Sequence, residues 1–286
     1  MKYTKIRLTG LESTDLVLQG ASHDDLFICK GVDGLGPPEI DVSIAQMLDG
    51  GGYFQNKVPK NKQIIARIGL NPTWAVELGT TVSDLREMLY GMLTGGYTGD
   101  RVAVILMDVD PDTFDETEIC RIYGYVSKFE IVPFSKDPQV QITIECLSPW
   151  YEALNPVFPT LGTMSKTAPN ILNVGNGPTG FKMKFTFAGL GGGGIPTYEI
   201  ETQGGLKHML FTPPWNFVNG DYIEFSTVSG DRYATIYHGA VAQNALAWLS
   251  SDSDWLQLYG GMNILSMSSN LFNWNNIEFV PRWWGV

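Results

Sequence analysis

Three histidines, three cysteines and one dense run of carboxylates are the residues of this sequence with chemistry to offer. Nucleophilic catalysis needs a base held beside a nucleophile. His23, His208 and His238 each stand outside any local signature of the G-x-S-x-G kind, so no triad is expected. The spacing H-E-x-x-H of a metalloprotease is missing as well. Cys29, Cys120 and Cys146 are an odd number without C-x-x-C spacing, and read as buried free thiols rather than a disulfide framework or a zinc site. The run from Asp108 to Glu118 begins like a calcium loop, with oxygens at Asp108, Asp110 and Asp112. The pattern then fails, because Thr113 stands where the turn needs Gly and Ile119 where a bidentate Glu belongs. A solvated hairpin loop is the expectation, with no metal and no cofactor.

Two further readings concern binding. Trp215, Trp283 and Trp284 are aromatic enough to stack on sugar rings, although such residues in β-sandwiches are mostly core. The segment GVDGLGPPE has glycines but neither the Lys nor the following helix of a phosphate loop, which excludes nucleotide binding on context. Paired carboxylates for glycoside hydrolysis cannot be placed without a tertiary structure.

The elements that would position these residues are mostly strands. The chain of 286 residues is 44% hydrophobic, 12% aromatic and 17% charged, a folded composition with formal net charge −11. No apolar run is long enough to cross a bilayer, and MKYTKIRLTG lacks the apolar stretch of a secretory signal, so neither membrane nor export is expected. The acidic balance argues against a partner gripped by its phosphates.

Splitting the sequence near Glu152 sharpens this. Residues 1–152 hold 13 basic and 22 acidic side chains, whereas residues 153–286 hold 6 and 8, with six of the eight tryptophans. The Pro-rich stretch around Pro149, Pro156 and Pro159 is a natural linker between unlike halves. The expected domains are 1–152, a linker over 153–170, and 171–286.

In the first half YTKIRLTG and DLVLQG predict a short hairpin, LFICKGVDGLGPPEIDVSIA two strands divided by a Gly/Pro loop, and QIIARIGL, VAVILMDV, CRIYGYVSKFEIV and QVQITIEC four more strands. The period changes in TTVSDLREMLYGML, where Val82, Leu85, Leu89, Met92 and Leu93 mark one helical face, with Thr81 as cap and Asp84 three residues later. In the second half short strands alternate with turn formers: GFKMKFTFAG, TYEIETQG, HMLFT, DYIEFSTV, RYATIYH, WLQLYG, MNILSMSS and NIEFVPRW. That pattern predicts a β-sandwich or jelly roll.

One order of motifs is specific. A strand enters Gly31-Val-Asp-Gly-Leu-Gly-Pro-Pro-Glu39, followed by Asp49-Gly-Gly-Gly-Tyr-Phe54, Gln63 to Leu70, the helix, an acidic hairpin, Gly124 to Glu130, Phe134-Ser-Lys-Asp137, and an exit Gln141-Ile-Thr-Ile-Glu-Cys-Leu-Ser-Pro-Trp-Tyr151. This order resembles the N-terminal domain of the distal tail proteins (Dit) of phages with long flexible tails. The second half is similar in order through Pro169 to Asn173, Gly177 to Gly180, Gly220-Asp221, Trp255 to Leu258 and Gly260 to Asn263. It departs at Asp254 and at Tyr259-Gly260, and these departures bear on any carbohydrate-binding role rather than on the fold.

The resemblance implies a mainly β protein. Its first domain would be a tail-tube-like β-sandwich or barrel with one helix, and its second a galectin-like β-sandwich. The implied function is structural and non-enzymatic. A homo-hexameric ring joins the tail tube protein to a tail-tip hub of the tail-associated-lysin kind and offers a docking platform for receptor-binding proteins. Its channel passes the tape measure protein and DNA, and its place is the tail tip of the virion, assembled in the host cytoplasm. Six acidic first halves around a channel would let DNA pass without sticking. Two rivals stand beside it: a carbohydrate-binding tail module acting in adsorption, and a tail-associated hydrolase. Ring closure uses edge strands and reaching segments. Residues 49–62, DGGGYFQNKVPKNK, are expected as a loop that contacts the adjacent subunit or the next ring, with an ordinary mobile hairpin as the alternative; Tyr53, Phe54 and Lys57 are the subunit-interface candidates.

Overall fold

The computed structural model describes residues 5–9, 15–18, 26–46, 52–77, 79–94, 101–110, 113, 116–131, 137–159, 170–189, 197–202, 205–212, 216–267 and 271–285. Two compact units divide the chain: Met1–Leu154 together with Trp283–Val286, and Asn155–Arg282. Strands dominate both. Among the described residues no helix is long and apolar enough to cross a membrane.

The first unit contains β1 (Lys5–Thr9), β2 (Asp15–Leu18), β3 (Phe27–Asp33), β4 (Ile40–Gln46), β5 (Gly52–Pro59), β6 (Gln63–Leu70), α1 (Pro72–Glu77), α2 (Val82–Thr94), β7 (Val102–Val109), β8 (Glu116–Ile131), β9 (Gln139–Cys146) and β10 (Tyr151–Ala153). One antiparallel sheet runs β2-β1-β7-β8-β9-β6-β3, with β10 added on β8. Alternation decides its inner face: Ile64, Ala66 and Ile68 of β6 point inward with Val140, Ile142 and Ile144 of β9. The run Val102–Met107 does not alternate because β7 is covered on both sides. Val104 and Leu106 enter the main core, while Ala103, Ile105 and Met107 form a second small cluster with Tyr123.

The helix α2 closes the main core with Leu85, Leu89 and Leu93, all buried and spaced for one face. Its start is a reciprocal cap. The Thr81 N–H and Oγ1 each donate to Asp84 Oδ2 at 2.7 Å, and the Asp84 N–H donates to Thr81 Oγ1 at 3.2 Å. The short α1 before it was not legible from periodicity, since six residues carry too little of a helical repeat.

The second unit contains β11 (Ile171–Asn173), β12 (Phe181–Phe187), β13 (Thr197–Thr202), β14 (Gly205–Leu210), β15 (Tyr222–Ser226), β16 (Tyr233–His238), β17 (Val241–Asn244), β18 (Gly261–Met267) and β19 (Phe272–Phe279). They form two antiparallel sheets, β11-β18-β13-β14 and β17-β16-β15-β12-β19. A single hydrophobic cluster takes side chains from both, such as Ile171, Met209 and Leu265 from one and Phe185, Phe225, Ile236 and Phe272 from the other. That is a sandwich. Its rings meet edge to face, with Phe185 and Phe272 at 5.3 Å, the geometry favoured by their quadrupoles. The segment WLQLYG, expected as a strand, is extended but pairs only through Leu258 with Thr179, while Leu256 and Leu258 fill the core.

Candidate assembly surface

The residues singled out for chemistry are dispersed. His23, Asp112 and Trp215 lie outside the described residues. Cys120 and Cys146 are buried free thiols, each pushed up to about 12 by burial, and Cys29 is half-buried. Among the described residues no group of three or more His, Cys, Asp or Glu side chains could hold a metal ion. In the acidic hairpin the Asp110 carboxylate accepts from the Thr113 N–H at 3.3 Å, as in an ordinary turn.

One imidazole has a carboxylate that sequence spacing did not reveal. His238 Nδ1 lies 2.7 Å from Asp221 Oδ2. The Asp221 side chain also accepts from the Val218 N–H at 2.8 Å and the Gly239 N–H at 2.9 Å. Burial acts to raise its pKa, but these amides and His238 hold it below the usual carboxylate range. The carboxylate therefore joins the turn at Val218 to the turn at Gly239, and its bonding capacity is spent there.

The candidate surface is instead a hairpin arm. β4 and β5 pair only with each other to form a two-stranded sheet separate from the main one. Residues 52–59, expected as loop, are strand because every residue but Gln55 has a partner on β4 in register from Ile40↔Pro59 to Gln46↔Gly52. The register skips Gln55, a bulge between Ser43 and Ile44. Without it, Phe54 would share a face with Asn56 and Val58. With it, Phe54 lies opposite Ile44, so Ile40, Val42, Ile44 and Phe54 fall on one face with Lys57. Tyr53 lies on the other face, opposite Ala45. Ile44 is 61% exposed, Tyr53 61% and Phe54 55%. A two-stranded sheet is marginal alone in water, and four large apolar groups exposed on one face are the kind of patch that marks an interaction surface.

The root of the arm is closely packed. Gly34, at φ +85°, approaches the Gln63 carbonyl so closely that a Cβ would lie 1.9 Å from its oxygen, so no other residue fits the loop before β4. Leu35 is buried in the core, and the Lys60 N–H closes the hairpin on the Glu39 carbonyl at 2.8 Å. The Lys60 ammonium lies 3.3 Å from Glu39 and 3.1 Å from Asp41. A cleft of about 420 Å³ lies beside these roots, between the loop 34–39, Lys60–Gln63 and Glu145.

Trp283 and Trp284 belong to the first unit. Trp283 is partly buried against its core, and the Trp284 ring packs on Trp150 with centroids 4.0 Å apart. The exit motif Cys146-Leu-Ser-Pro-Trp-Tyr151 builds that seat. The Cys146 N–H donates to the Lys62 carbonyl at 2.8 Å, the Leu147 N–H to the Tyr123 carbonyl at 2.9 Å, and Tyr151 is fully buried.

No family model matches the sequence, and no curated protein matches it. Solved structures do. The SPP1 Dit protein, described as a paradigm of the hub adsorption apparatus of phages infecting Gram-positive bacteria, is similar over 97% of this chain and 98% of its own, with TM-score 0.60 and 15% identity. Chains of the phage p2 baseplate in its activated conformation, with Sr and with Ca, are 12% and 11% identical over 97% of both chains, at TM-score 0.38, too low for the overlay to carry an argument. Along almost its whole length, then, the chain shares its mainly β fold with the SPP1 Dit protein.

Proposed function

We propose that this chain is a non-enzymatic structural subunit of a phage tail tip, and that six copies close a distal tail ring through the first unit. In this reading the ring joins the tail tube to the tail-tip hub and passes the tape measure protein and DNA. The second unit offers its surface to host-recognition proteins. The observation that carries the reading is the arm: a Dit-like fold whose hairpin leaves Ile40, Val42, Ile44 and Phe54 uncovered on one face. A heterologous contact repeated around a ring covers such a face on every copy and leaves none over. The acidic balance of residues 1–152, 22 acidic against 13 basic, suits a wall past which a polyanion slides.

The test is a pair of substitutions on the apolar face, Ile44→Ser with Phe54→Ser. Both side chains are exposed, so thermal unfolding of the purified subunit should stay within about 1 kcal/mol of the parent. Self-association measured by sedimentation should fall at least about tenfold. Unchanged association would show that this face is not the contact. Tyr53→Ser, on the opposite face, serves as the comparison.

A further inference from the structure

At the foot of the arm lies a buried cation that the assembly reading does not use. Lys62 follows β5 by three residues and is 3% exposed. Its Nζ donates to the Gly36 carbonyl at 2.7 Å and to the Trp284 carbonyl at 2.9 Å, and lies 4.3 Å from the centre of the Tyr151 ring. Gly36 belongs to the loop that leads into β4, and Lys62 to the segment that leaves β5. One ammonium thus ties both roots of the arm to the end of the chain.

The end of the chain is seated in two further ways. The Trp284 ring packs on Trp150 at 4.0 Å. Gly285 approaches the arm loop so closely that an added Cβ would lie 2.5 Å from the Pro37 nitrogen and 2.6 Å from the Gly36 carbonyl carbon. These are backbone atoms that cannot step aside as a flexible side chain would. A buried ammonium that loses one of two carbonyl acceptors bears most of the desolvation cost of that bond. Undocking of the tail and loosening of the arm loop therefore make each other easier.

We propose that Trp283–Gly285 is a latch that sets the arm: docked, it fixes both roots through Lys62, and released, it frees the arm to hinge at residues 36–39 and 59–62. The latch gives the apolar face of the arm one presentation to a neighbouring copy, and in that consequence it rests on the proposed assembly. The coupling itself does not, since it is internal to one subunit.

Hydrogen exchange on the full chain tests it with two variants. Gly285→Ala sets a methyl group against the backbone of Gly36 and Pro37 and pushes the tail off the loop. Lys62→Met keeps the bulk of the side chain and removes the ammonium. Amides of the tail and of the two hinge segments, 34–39 and 59–62, should exchange about tenfold faster in each, while those of β7 keep the parent rate. Hinge amides that keep the parent rate in either variant overturn the latch. Faster hinge exchange in a chain that never associates leaves the latch standing and counts against the ring, so the two failures are distinguishable.

Discussion

Lys62 is the residue at which sequence and structure differ most in what they say. In the sequence it is one of three lysines in a glycine-led stretch that reads as a loop reaching to a neighbour. In the fold it is buried, and burial lowers its pKa to about 8. A lysine whose folded pKa lies below its ordinary 10.5 binds fewer protons folded than unfolded between those values, so stability rises as pH climbs through about 8. Cys120 and Cys146, pushed up from 9.0 to about 12 by burial, act the other way: above about 9 the unfolded thiols ionise and the folded ones do not, and stability falls. Urea midpoints between pH 7 and 10 should therefore rise to about pH 9 and then decline. Lys62→Met should lose the rise and keep the decline. A parent-like profile in that variant would rule out Lys62 as its source. Nothing in the spacing around Lys62 could have shown this, because both of its acceptors are carbonyls of distant segments. The pairing of His238 with Asp221 was hidden for the same reason.

At the scale of elements, legibility followed period and length. The helix α2 was plain because thirteen residues carry a full apolar repeat and a cap whose two members are three apart. Thr81→Ala removes that reciprocal cap and should cost about 0.5–2 kcal/mol in chemical denaturation. A cost near zero would mean that the cap bonds are replaced by water. Strands β6, β9 and β12 alternate and were equally plain. The arm was half visible. β4 reads as a strand, but β5 mixes Gln55, Asn56 and Lys57 with its apolar residues and carries a bulge, so a strict two-residue period fails there. Tyr53 and Phe54 were singled out together, yet the pleat sends them to opposite faces, and only Phe54 joins the apolar row. The strand expected at WLQLYG is the converse case: its Leu256 and Leu258 alternate inward as a strand would, but backbone pairing stops at one bridge.

For the whole molecule, the class was legible from composition and punctuation: two unlike halves, many short strands, and Gly or Asn turns between them. What the sequence could not display was the return of Trp283–Val286 to the first unit, since a contact between residue 62 and residue 284 leaves no local mark. The net charge of −11 first argues against nucleic acid as a ligand. Most of it falls in the half proposed to form the ring, where it would let a polyanion pass without holding it. Ring formation by that half is tested by sedimentation velocity on the purified chain across a range of concentrations, alone and with tube and hub proteins. A ring that closes on six copies gives a species of about six times the 31.6 kDa of one chain, with no open series of larger sizes. A chain that stays monomeric under every one of these conditions would contradict it.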